Sequence, residues 1–460
     1  MQLPGCWAEL TKFVVISAFL CTSSLGAEAA KLGEREQAAY TGRLRAKLPA
    51  DRLKAIEELA KFPDPEAAKL LIKLGLNDDD DSNRRAAYAT LLKSKDQPAV
   101  CDLLIEQLNQ EVRRQHHDPS TPLLLAVLMS SELPDVQKAT DRYFEKLSAA
   151  RDGAVFAAAM ADLLSYHQMA ADIEPLMYLA GSKLSEKLVV RRAIVHALVQ
   201  IDDAKAIEAL IIVAATFNGE VLADIYEYLA LVTKQQFADP ADWAAWWRDN
   251  QATFKFPEGL QRPEVRKIEN LVYGNATRYY GLPLYARRMV FVIDVSMSMR
   301  APASMPGLGT GISRIMAAKR ELVSAINALD SNVSFGIVSF HRDSTMFRKQ
   351  LLEATSENKA DAIRFVQSAQ MEIGTSTYDA LLAAFKYDAE AIYLLTDGAP
   401  ASGTIVNPVA IVNAITAQNR SRRESIYTIG IGVGPQGSIF EVFLQTLAER
   451  NHGLFRRVDE

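Results

Sequence analysis

The run Met289-Val-Phe-Val-Ile-Asp294-Val-Ser296-Met-Ser298 constrains this chain more than any other stretch. Its apolar, β-branched part reads as a strand buried on both faces, and such a strand belongs in a sheet covered by helices on each side. The aspartate and the two alternate serines then emerge where the strand leaves the core, the edge at which open α/β sheets keep their ligand sites. Asp294, Ser296 and Ser298 bring hard oxygens to one point, which suits Mg²⁺ or another hard cation and not a soft one.

The rest of the second half follows suit. Strand-like runs at 290–294, 333–340, 392–396 and 426–433, with a short one at 453–458, alternate with helical patterns at 313–329, 359–369, 378–385, 406–419 and 439–450. That alternation predicts a doubly wound, mostly parallel, Rossmann-like sheet. Two further oxygen-bearing loops fall at the matching edge. Glu372-Ile-Gly374-Thr375-Ser-Thr377 sets hydroxyls in a turn before a helix, and Leu394-Leu-Thr-Asp397-Gly398 ends another buried strand on an aspartate.

The order Asp-x-Ser-x-Ser, Gly-Thr-x-Thr, Thr-Asp-Gly resembles the von Willebrand factor A domain with its metal-ion-dependent adhesion site, over residues 288–460. The resemblance implies Asp294, Ser296, Ser298, Thr375 and Asp397 as ligands of Mg²⁺, with Mn²⁺ or Ca²⁺ as alternatives. It also implies that an Asp or Glu of a partner protein completes the coordination. Three neutral hydroxyls and only two carboxylates balance the ion's charge without filling its shell, which leaves a position for an acidic oxygen from outside. Met297, Met299, Gly374 and Thr377, beside the ligands, are expected to meet the partner. Met297 stands where the family often has glycine, and Ile373-Gly374 where two glycines are common. An insertion rich in Gly and Pro, 300–311, separates the first motif from its helix and is a candidate recognition loop.

The first half has a different period. From 31 to 256 it is rich in Ala and Leu and apolar at helical spacing, as in Leu53, Ile56, Leu59 and Ala60. Units at 51–76, 83–109 and 190–217 repeat one frame: helix, short turn with Asp or Pro, helix. Neither helix of such a pair can bury its face alone. These units resemble HEAT repeats, an α-solenoid family whose members commonly bind other proteins, and 111–185 reads as degenerate repeats. Asp78-Asp-Asp-Asp81 lacks the glycine and glutamate of a calcium loop and reads as a solvated turn capping the next helix. Trp243, Trp246 and Trp247 sit at helical spacing and are expected to close the open end of the solenoid. Breaks in the helical pattern predict a linker at 257–287.

Residues 1–29 read as a secretory signal, with Lys12 ahead of an apolar core at 13–21 and small residues through Ala27 and Ala29. That core is shorter than the roughly 20 apolar residues of a membrane span. Of the three cysteines, Cys6 and Cys21 lie in this signal, leaving Cys101 as a structural thiol on an apolar helical face. The formal net charge of -5 gives no reason to expect nucleic acid or an anionic membrane as partner.

Together these features predict a two-domain, secreted or periplasmic protein of the bacterial secreted type, with HEAT-like repeats ahead of a von Willebrand factor A domain. Its expected work is metal-dependent protein recognition. A metal-dependent hydrolase needs a positioned base, and the three motifs contain no histidine; His341 and His452 read as structural. A chelatase-type accessory subunit is a further alternative, opposed by the signal and by the lack of a phosphate-binding loop. The expectation is therefore a protein that is not an enzyme.

Overall fold

A computed structural model describes residues 31–114, 120–260, 277–303 and 312–458. The expected signal with its two cysteines, the centre of the expected linker and most of the insertion lie outside these residues. Contacts divide the chain into two compact units, Met1–His116 and His117–Glu460.

The first unit is made of helices α1 (Glu34–Arg43), α2 (Pro49–Leu59), α3 (Pro65–Leu70, continued by a π turn at Leu71–Gly75), α4 (Asp81–Leu92) and α5 (Pro98–Arg114). Aspartates set the helix starts. Asp64 accepts the amides of Glu66 and Ala67 ahead of α3, and Asp80 those of Ser82 and Asn83 ahead of α4, which satisfies amides that have no partner within the helix. The acidic turn is only partly as expected, because Asp78 is buried and not solvated. Arg52 of α2 reaches it with two hydrogen bonds, at 2.8 and 2.7 Å. Burial alone raises the Asp78 carboxyl, but Arg52, the Asp80 amide and Asn83 outweigh it and hold it down to about 2. Cys101 is buried, and its thiol donates to the Lys95 carbonyl.

In the second unit, helices α6 (Thr121–Met129), α7 (Pro134–Ala149), α8 (Gly153–His167), α9 (Ile173–Gly181), α10 (Leu188–Gln200), α11 (Ala204–Ala214), α12 (Gly219–Thr233) and α13 (Pro240–Asn250) continue the helical pattern. Trp243 and Trp247 are buried, while Trp246 is half-exposed. Trp243 packs edge-on to Phe237 and donates to the Phe237 carbonyl at 3.1 Å.

The sheet comprises β3 (Arg288–Asp294), β4 (Ser334–Phe340), β5 (Ser344–Met346), β6 (Leu352–Glu353), β7 (Ala391–Thr396), β8 (Ser425–Ile431) and β9 (Phe455–Val458), following a hairpin of β1 (Arg278–Tyr279) and β2 (Leu282–Pro283). Its order is β5-β4-β3-β7-β8-β9, with β6 also on β4. Pairings among β4, β3, β7, β8 and β9 are parallel, whereas β5 and β6 run antiparallel to β4. Strand alternation divides the core. Met289, Phe291 and Ile293 face a layer with α14 (Arg314–Ala328) and α15 (Ser356–Ser368); Val290 and Val292 face α16 (Thr377–Ala384), α17 (Pro408–Asn419) and α18 (Ile439–Glu449).

The expected linker ends earlier than 287. Tyr279, Tyr280, Leu282, Leu284 and Ala286 belong to the sheet's core, and Tyr393 stacks on Tyr427 while donating to the Pro283 carbonyl at 3.0 Å. Nor do the contacts part there: helices from α6 onward share a compact unit with the sheet.

Candidate metal centre

β3 and β7 are adjacent parallel strands, and the chain leaves β3 toward β4 on its other side. Their carboxyl ends therefore flank a topological switch point, where loops part and leave a crevice. Asp294 ends β3 fully buried. Its Oδ1 accepts the Ser296 amide at 2.8 Å and its Oδ2 the Thr396 hydroxyl at 2.5 Å. Ser296 Oγ lies 2.9 Å from Ser298 Oγ, which donates to Asp397 Oδ1 at 2.8 Å.

The Thr375 loop is fastened from both sides. Glu372 donates its amide to the Val295 carbonyl and accepts that of Met297 at 3.0 Å, which ties it to the first motif. The Thr375 amide donates to Ser402 Oγ at 2.9 Å, and the Ser376 hydroxyl to the carbonyls of His341 and Arg342, both at 2.8 Å. Gly374 is required here. Its φ is +106°, and a Cβ would stand 2.7 Å from Ser402 Oγ and 3.1 Å from the Arg342 backbone.

Ser296, Ser298, Thr375 and Asp397 thus line one open cavity of about 520 Å³, with Asp294 beneath its floor. Burial pushes the Asp294 carboxyl up to about 7; Asp397 adds to the rise, while the bonds from Ser296 and Thr396 oppose it. The donors fit a hard divalent cation: two carboxylates and three hydroxyls from three loops, with Asp294 bonded by an amide and a hydroxyl.

Of the residues expected to meet a partner, Met297 and Gly374 line this cavity. Met299 and Thr377 do not, being fully buried. Met299 turns inward because a short 3₁₀ turn, Met297–Arg300, carries the chain back over the core, and Thr377 opens α16 against the sheet.

One neighbour was not foreseen. Arg314 Nη1 lies 3.2 Å from Asp397 Oδ2 and lines the same cavity. Nothing in the motif spacing points to it, since it follows the insertion. The ends of that insertion are zipped by Ala303 N to the Ile312 carbonyl (2.7 Å) and Arg314 N to the Ala301 carbonyl (2.9 Å), which returns Arg314 to the site.

Comparison with known proteins agrees with this architecture. The model of HEAT repeats matches residues 42–118 and that of the von Willebrand factor type A domain matches residues 289–399. The chain thus carries HEAT repeats followed by a von Willebrand factor A domain. Among curated proteins it is similar to human inter-alpha-trypsin inhibitor heavy chain H4, 29% identical over 207 residues, which is 42% of this chain and 20% of that protein. Human heavy chain H2 is 27% identical over 188 residues, 37% of this chain and 18% of that protein. The chain therefore spans about a fifth of the length of these relatives. A solved structure, the conserved hypothetical protein BatB of Bacteroides thetaiotaomicron, aligns at 20% identity over 37% of this chain and 90% of its own, with a TM-score of 0.29. Among the described residues no helix is long and apolar enough to cross a membrane.

Proposed function

We propose that this chain is an extracytoplasmic interaction protein that recognises an Asp or Glu side chain of a partner protein through a divalent ion, with its helical repeats as scaffold and second surface. Asp294, Ser296, Ser298, Thr375 and Asp397 are the residues that hold the ion, with Mg²⁺ first and Mn²⁺ or Ca²⁺ as alternatives. An ion held by these five groups would keep a coordination position that a single acidic oxygen fills. The observation that carries this reading is the gathering of these hydroxyls and Asp397 around one open cavity above the buried Asp294. The apolar core and small residues of the first 29 positions support export.

Titration of Mg²⁺ into the chelator-stripped chain tests the site. We expect saturable binding that Asp294→Ala abolishes while the helical circular dichroism is retained; undiminished binding in that variant ends the reading.

A further inference from the structure

The walls of the cavity have a chemistry of their own. Met297, Ile373 and Phe440 line it together with the oxygens. Met297 is 41% exposed and Ile373 72% exposed, whereas the apolar residues of the strands beneath are fully buried. The backbone sets the first two side by side: Ser296 bridges Glu372 in parallel, so the residues that follow, Met297 and Ile373, leave the bridge as neighbours. Half-buried Phe440 lines the cavity beside Asp397, its ring 3.8 Å from where a Cβ on Gly398 would stand.

A polar floor lined by the exposed Met297 and Ile373 and the half-buried Phe440 is complementary to a ligand with an acidic tip and an apolar flank. The floor takes the charge, and the walls gain by losing contact with water. Sites that orient a ligand by a few polar groups and bind it by apolar walls follow the same division. Resting on the metal-dependent reading above, we propose that the partner segment taken by this site carries a bulky aliphatic side chain beside its Asp or Glu, with Met297, Ile373 and Phe440 selecting it.

Peptides displayed at random, captured by the full chain in Mg²⁺ and eluted with a chelator, test the two readings separately. The expected result is enrichment of Asp or Glu next to Leu, Ile, Val or Met. The Met297→Ser/Ile373→Ser variant should keep the acidic enrichment and lose the aliphatic one. A peptide from the first pool should bind this variant at least roughly ten-fold more weakly, the scale of a lost apolar contact in a pocket. Enrichment of acidic residues with no aliphatic neighbour, or an unchanged preference in the variant, overturns this inference and leaves the metal-dependent reading standing. Chelator-eluted peptides without acidic enrichment overturn both.

Discussion

Asp397 is shared between a hydroxyl and a cation: Ser298 donates to one oxygen and Arg314 stands at the other. A guanidinium so placed competes with a divalent ion for the same carboxylate and repels it through a half-buried, weakly screened path. We expect Arg314→Ala to tighten Mg²⁺ binding several-fold, on the order of 1 kcal/mol, measured by calorimetry on the chelator-stripped chain. Weaker binding in the variant means instead that Arg314 holds Asp397 in place for the ion. The oxygen-bearing residues were legible because strand alternation and strand ends are local patterns, and Asp294-x-Ser296-x-Ser298 is written within one turn of chain. Arg314 was not, since its approach depends on how the two ends of the insertion are zipped together. Met299 misled because the period of two that exposes Ser296 and Ser298 gives way to a 3₁₀ turn at Met297–Arg300.

Among the elements, α12 and β8 make a buried polar contact between the helices and the sheet. Glu220, fully buried at the start of α12, accepts from Ser425 Oγ at 3.0 Å and from Tyr427 Oη at 2.8 Å, while Arg192 of α10 donates to the same Ser425 hydroxyl. Removing a partner from such a group leaves the others desolvated with nothing to bond. Glu220→Ala should therefore destabilise the unit by about 3 kcal/mol or more, and Tyr427→Phe, which removes one donor to a carboxylate, by about 1.5 kcal/mol. Chemical denaturation followed by tryptophan fluorescence checks both; equal and negligible effects mean that the contact is incidental. The elements themselves were largely visible in advance, β3, β4, β7 and β8 to within a residue or two, because each is a continuous apolar run. The hairpin β1–β2 was not. Its strands are two residues each, and Tyr279-Tyr280-Gly281 reads locally as a helix break; burial against Phe291 and Tyr393 makes it part of the core.

At the scale of the molecule, the contacts of α12 and the candidate metal centre lie at opposite ends of the strands. Glu390, Ser425 and Arg287 mark the amino ends of β7, β8 and β3, whereas Asp294 and Asp397 mark carboxyl ends, roughly 20 Å away over seven residues of strand. Helices α10 and α12 thus hold the sheet at the end away from the site, and Glu220→Ala should leave Mg²⁺ affinity unchanged in the folded fraction, as expected of distant, independent positions. The same end carries an acid-sensitive feature. A cavity of about 480 Å³ between α8, α10, α12 and the sheet's loops is lined by Asp162, Arg192, His196, Asp224, Glu227, Arg420, Arg423 and His452. Burial, reinforced by Arg192, Arg423 and His196 and opposed by Asp224, lowers the His452 imidazole to about 3. The folded state therefore keeps His452 neutral, while the unfolded chain takes up a proton near the ordinary value of about 6.5. The stability contributed is whole above pH 6.5 and is lost as pH falls toward 3, by about 2 kcal/mol at pH 5. His452 sits at φ +58°, a conformation that asparagine tolerates. His452→Asn should therefore fold and should flatten the fall in melting temperature between pH 7 and pH 5; a variant as acid-labile as the parent chain places the sensitivity elsewhere.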